Sequence, residues 1–155
     1  IIRKTNIYTK LKGTIKMVKL LIGEKGTGKT KRLIDCVNEA LASSNGHVIC
    51  VEKDDLLRYQ VNYKVRLLAA SNYGIAGYDA FYGFLSGLCA GDHDVTDILI
   101  DATLKIGGRD YQQLADFLAK IARLGKLTET NFVFTVSTEK ENLPASIFEC
   151  CEEIK

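Results

Sequence analysis

A three-layer α/β/α domain, with helices on both faces of a mostly parallel sheet of about five strands, is the fold class that the sequence predicts. Three observations predict it. Short apolar runs alternate with longer stretches of helical periodicity, as in successive βα units. The 155 residues suit one domain, and a chain of that size can withdraw roughly 70% of its unfolded surface from water without staples. Hydrophobic residues make up 46% and charged residues 26%, the balance of an ordinary folded protein rather than a disordered one.

The elements follow in order. Met17 to Ile22 is the first apolar run, with Val18, Leu20, Leu21 and Ile22. A glycine-rich stretch separates it from a helix that places Leu33, Ile34, Val37 and Leu41 on one face and stops before Asn45-Gly46. His47 to Glu52 is the second strand, followed by a polar helical turn with Asp54, Asp55 and Arg58, and Lys64 to Ala70 is a third strand. Tyr78 to Ala90 reads as a helix through Phe81, Leu85 and Leu88, with Gly83 and Gly87 spaced to let it pack closely on the sheet. Asp97 to Asp101 is a short buried strand. Tyr111, Leu114, Phe117, Leu118, Ile121 and Leu124 mark a long helix for which Gly125 is the natural stop. Asn131 to Ser137 is the last strand. Pro144 opens a short helix with Ile147, Phe148 and Cys151 inward.

Charge and cysteine content narrow the chemistry. Residues 1–16 hold Arg3, Lys4, Lys10, Lys12 and Lys16 and no acid, whereas the remainder carries sixteen basic against nineteen acidic residues. We expect residues 1–16 to be a basic extension, loose or derived from upstream sequence, and 17–155 to form one domain, since Met17 is the only methionine and the globular pattern starts there. The extension lacks the apolar core of a secretory signal. The mildly acidic remainder gives no duplex-DNA footprint, so nucleic acid is not supported as a partner. Five cysteines, Cys36, Cys50, Cys89, Cys150 and Cys151, form no C-x-x-C pair and read as reduced thiols of a cytoplasmic protein. With His47 and His93 the only histidines, a His/Cys zinc site is not expected. No apolar run approaches the ~20 residues that span a bilayer.

Gly23-Glu24-Lys25-Gly26-Thr27-Gly28-Lys29-Thr30 satisfies G-x-x-x-x-G-K-S/T at every fixed position, between an apolar strand and an amphipathic helix. Glycines admit backbone angles that turn successive N–H groups inward around a phosphate. Those donors join a helix N-terminus whose partial positive charge favours an anion. Lys29 reaches the β- and γ-phosphates as a mobile point charge, and the Thr30 hydroxyl is a ligand for Mg²⁺. Gly23, Glu24, Lys25, Gly26, Thr27, Gly28, Lys29 and Thr30 are therefore the candidate nucleotide-binding residues.

On these residues the chain resembles the P-loop NTPase superfamily, with some likeness to small RecA-like bacterial ATP-binding proteins labelled as twitching-motility ATPases. At 155 residues we do not expect the sequence to hold the extra domain and the acidic and histidine boxes of those motors. The resemblance implies that Ile98-Leu99-Ile100-Asp101 is the second motif of the family, with Asp101 holding Mg²⁺ beside Thr30. Many family members place Glu directly after that Asp, where this chain has Ala102. A RecA-like arrangement implies instead Glu52, at the end of the second strand, as the base that orients water, with Lys29 as the other catalytic residue and Asp54 and Asp55 as lesser candidates. It also implies Thr135 and Ser137 as hydroxyls near the γ-phosphate, and Arg109, after Gly107-Gly108, as a group that stabilises transition-state charge.

Tyr59, Tyr63, Tyr73, Tyr78 and Tyr82 are interleaved with Arg58, Lys64 and Arg66. They read as cover for a sheet edge and a helix face, or as a platform for single-stranded bases. The absence of N-K-x-D leaves ATP preferred over GTP. The leading expectation is a weak Mg²⁺-dependent ATPase; a small-molecule kinase and a nucleotide-dependent switch or adaptor share the same site. A protein partner or self-association is compatible with each.

Overall fold

In the computed structural model, which describes residues 15–155, the chain runs β1 (Val18–Gly23), α1 (Lys29–Ser43), β2 (His47–Glu52), β3 (Arg66–Ala69), α2 (Tyr78–Gly91), β4 (Val95–Ile100), α3 (Thr103–Gly107), α4 (Tyr111–Thr128), β5 (Asn131–Ser137), α5 (Ile147–Cys150) and β6 (Cys151–Glu153). Most of the expected basic extension lies outside the described residues. Lys16 does not: its Nζ donates to the Phe148 carbonyl at 2.7 Å.

All six strands pair in parallel, in the order β3-β2-β4-β5-β1-β6. Strand parity divides the side chains into two layers. Val18, Leu20, Ile49, Val51, Ile98, Ile100, Phe132, Phe134 and Val136 face α2 and α4 in the larger core. Leu21, Val48, Cys50 and Leu99 meet Leu33 and Val37 of α1 in the smaller one. Phe81, Phe117, Phe132 and Phe134 form an aromatic group at the centre of the larger core, with ring centroids 5.0–6.3 Å apart. Burial pushes the Cys50 thiol up to about 12, with Asp101 and Glu52 adding to the effect, so this cysteine is a packing residue.

Several local expectations are corrected. The stretch after β2 is not a helical turn but a bend that leads into a turn near Arg58. Gly125 does not stop α4, which continues to Thr128 before Glu129 takes a left-handed conformation at φ 55°. The glycine serves close approach instead: a Cβ there would lie 2.9 Å from both Met17 Cβ and the Thr130 carbonyl oxygen. Gly83 and Gly87 do not bring α2 onto the sheet, because both are exposed and a Cβ on either meets nothing within 4 Å. Cys151 opens β6 rather than ending a helix, and β6 and α3 were not anticipated.

At the far edge of the sheet from the glycine-rich loop, His47 Nδ1 lies 2.6 Å from Asp92 Oδ2, and the His47 amide donates to the Asp94 carbonyl at 2.7 Å. The Asp92 hydrogen bond raises the imidazole above its ordinary value, against a smaller opposing effect of burial. The pair therefore stabilises the fold while His47 is protonated, and its contribution is lost as pH rises through the raised value. In an NMR titration the His47 ring is expected to titrate above 6.5 in the native protein and to move down toward that value in Asp92→Asn.

Candidate functional site

The loop between β1 and α1 is built from its glycines. Gly26 and Gly28 adopt φ 84° and 85°, the left-handed region open to glycine. Gly23 admits the Thr27 side chain, whose Oγ1 would lie 2.7 Å from a Cβ at that position. Thr27 Oγ1 donates to the Glu24 carbonyl at 2.7 Å and closes the turn. Helix α1 then begins without a side-chain cap and without an acid in its first turn. Its first amides have no intrahelical acceptor, so this end of the helix offers oriented donors to an anion.

Lys29 lies over the same loop. Its Nζ donates to the Glu24 carbonyl at 2.6 Å and to Thr27 Oγ1 at 3.4 Å. Burial lowers its pKa, with the Asp101 charge acting in the opposite direction. An ammonium held by a neutral carbonyl can transfer to a phosphate oxygen without leaving the loop.

The acid arrives from the sheet. Asp101 follows β4 directly, its amide donating to the Val51 carbonyl at 2.8 Å. Because Leu99 faces α1, parity sends Asp101 to that face as well. Thr30 Oγ1 donates to Asp101 Oδ2 at 3.1 Å across 71 positions of sequence. Strand β5 lies between β1 and β4, and its Thr135 Oγ1 donates to Asp101 Oδ1 at 2.6 Å while accepting from the Ala102 amide at 2.9 Å. The two expected members of this centre, Thr30 and Asp101, are in hydrogen-bond contact. Thr135 was expected to face a phosphate, and instead it contacts the acid.

A cavity of about 400 Å³ opens at this edge, lined by Lys25, Gly26, Gly28, Lys29, Thr30, Asp101, Ala102, Leu104, Lys105, Arg109 and Ser137. It gathers four cations around one carboxylate. Arg109 and Ser137 lie on the wall of the same cavity as the loop. Lys105 was missed because α3 is too short to show periodicity. Hard oxygen donors from Thr30 and Asp101, with room for waters, form the donor chemistry that suits Mg²⁺ rather than a softer metal.

Glu52 is not among the lining residues. It is buried at the end of β2, with Oε1 accepting from the Leu56 and Leu57 amides at 2.7 and 3.1 Å and Oε2 from Leu57 at 3.2 Å. Burial raises its pKa, and the two backbone amides oppose the shift. In this structure it fastens the loop that follows β2. Asp55 pairs with Arg58 on the same loop. Of the five tyrosines, Tyr78 is buried and donates to the Gly108 carbonyl at 2.7 Å, Tyr73 stacks on Phe84, and Tyr82 lies beneath Lys120. Tyr59 and Tyr63 cover nothing, being 96% and 90% exposed.

No protein-family model and no curated protein matches this chain. Among the described residues, no helix is long and apolar enough to cross a membrane.

Proposed function

We propose that the protein binds MgATP through Gly23–Thr30 and hydrolyses it slowly, as a P-loop NTPase with RecA-like features. The observation that carries the reading is the Thr30–Asp101 hydrogen bond. It places a strand-end acid beside the last residue of a glycine-built anion loop, on one cavity with Lys29, Lys105 and Arg109. Amides of the loop and the first turn of α1 hold the phosphates, and Lys29 leaves the Glu24 carbonyl to neutralise the terminal ones. Thr30 and Asp101 hold Mg²⁺, which when bound neutralises charge on the phosphate oxygens. Arg109 and Lys105, on the wall of the same cavity, serve as further cations for the terminal phosphate. Glu52 orients water only after releasing Leu56 and Leu57, a rearrangement consistent with low turnover.

That same engagement of Glu52 favours a second reading, in which nucleotide stabilises one conformation of the loop after β2 and hydrolysis is incidental. Calorimetry with ATP, GTP and ADP in Mg²⁺, followed by phosphate release, separates the two. The first reading expects saturable binding of MgATP and slow release that falls at least tenfold in Glu52→Gln with binding retained. The second expects binding with no release above buffer. Absence of saturation at millimolar nucleotide overturns both.

A further inference from the structure

We propose that Thr135 is a positioning residue for Asp101, fixing the carboxylate through which the site takes Mg²⁺; the inference rests on the MgATP reading above. Thr135 is buried in β5 on the α1 face, level in register with Leu21 of β1. Its hydroxyl carries one proton, and that proton is donated to Asp101 Oδ1 at 2.6 Å. Thr135 Oγ1 in turn accepts from the Ala102 amide at 2.9 Å. No donor is left over for a phosphate, so the side chain acts through Asp101 rather than on nucleotide directly.

The arrangement is directional. With Oδ1 held by Thr135, the other carboxylate oxygen is turned to Thr30, the second candidate ligand, at 3.1 Å. Ala102 adopts φ 57° and ψ 43°, a left-handed conformation unusual for a residue bearing a Cβ. That conformation begins the turn into α3, with the Ala102 amide directed at the Thr135 hydroxyl. One buried hydroxyl therefore sets the acid and also fastens the start of the segment that carries Lys105 and Arg109. A free carboxylate rotates between several orientations, and each misdirected one weakens metal binding. Removing the hydroxyl should reduce the benefit of Mg²⁺ without touching the phosphate-binding loop.

The test compares wild type, Thr135→Val, Thr135→Ser and Asp101→Asn by titration with fluorescent ATP and ADP analogues, in EDTA and across a Mg²⁺ series, with thermal melting as the folding control. In Thr135→Val we expect affinity in EDTA within twofold of wild type. The gain in ATP affinity on adding Mg²⁺ should fall about tenfold, and half-saturation should shift to higher Mg²⁺. Thr135→Ser should restore both, and Asp101→Asn should abolish the gain. If Thr135→Val does not fold, Thr135→Cys against Thr135→Ser makes the same comparison, since a thiol is a poor donor to a carboxylate. An unchanged Mg²⁺ series in the variant lacking the hydroxyl overturns the inference alone. An equal loss in EDTA and in Mg²⁺ also overturns it, because the hydroxyl would then act on phosphate or on the fold. Wild-type protein that binds no nucleotide, or binds it without any Mg²⁺ gain, overturns the MgATP reading and this inference with it.

Discussion

Lys29→Ala should weaken MgATP binding by about 100-fold or more, equivalent to about 2.7 kcal/mol. The size follows from what the ammonium exchanges. In the structure it donates to the Glu24 carbonyl and to Thr27 Oγ1, both neutral. On nucleotide it would donate to phosphate oxygens, and hydrogen bonds between charged groups are worth about 1.5–3 kcal/mol each. Part of that gain is offset by leaving Glu24, which keeps the expected loss near the lower figure of a fully desolvated ion pair. Fold stability should change little, within about 0.5 kcal/mol, since Lys29 belongs to neither core cluster. Calorimetry on the variant, with its melting curve as control, checks both statements. Lys29→Arg should not rescue binding, because the planar guanidinium cannot enter a turn closed by Thr27 over Gly23. Affinity within threefold of wild type in Lys29→Ala would remove the loop from the functional reading.

The loop was legible because its residues are contiguous and their spacing is fixed. The sheet was legible for a similar local reason: His47–Glu52 is an apolar run bounded by Asn45-Gly46 and by charge, and the observed strand has those ends. What failed was non-local. Strand β6 spans three residues, two of them acidic, and exists because Val18, Lys19 and Leu20 offer an edge to Cys151, Glu152 and Glu153. Nothing within those three residues signals it. Gly125 matched a local rule for helix ends, but its actual constraint is the approach of Met17 and Thr130. Gly83 and Gly87 matched a packing pattern, yet the apolar stripe of Phe81, Leu85 and Cys89 turns them to solvent.

Within the candidate site the same division holds. Parity alone puts Glu52, Asp101 and Thr135 on the α1 face, so the sequence could nominate all three. It could not reveal which of them meet. That depends on strand order, which inserts β5 between β1 and β4 and brings Thr135 against Asp101. Glu52 closes β2, on the other side of β4, where the stretch that follows aims the Leu56 and Leu57 amides at it. A strand-end glutamate followed by K-D-D-L-L reads equally well as a base or as a fastener, and only the path of the following turn distinguishes them.

Phe134→Ala should cost about 3–5 kcal/mol of stability, the range for deleting a buried aromatic ring. Phe134 is fully buried and sits edge-on to Phe117 at 5.7 Å and to Phe81 at 6.3 Å, and stacks with Phe132 at 6.2 Å and 11°. Three helix or strand neighbours converge on one ring, so the surroundings cannot collapse into the space without moving α2, α4 or β5. Against a total of about 5–15 kcal/mol for a domain, this is a large fraction. The melting temperature should fall by about 10–15 °C. Urea unfolding should show a lower midpoint at unchanged slope, and Phe134→Leu should recover most of the loss. A cost under about 1 kcal/mol would mean that the aromatic group is not packed as described. The comparison with Thr135→Val is informative because the two residues are neighbours in β5 and point to opposite faces. Where both proteins remain folded, the ring deletion should lower stability and leave the Mg²⁺ dependence of ATP binding unchanged. Loss of the hydroxyl should instead weaken the Mg²⁺ dependence at a smaller cost in stability, about 1–3 kcal/mol for the partners it leaves unpaired: core and site meet on one strand, and its alternation keeps them on separate faces.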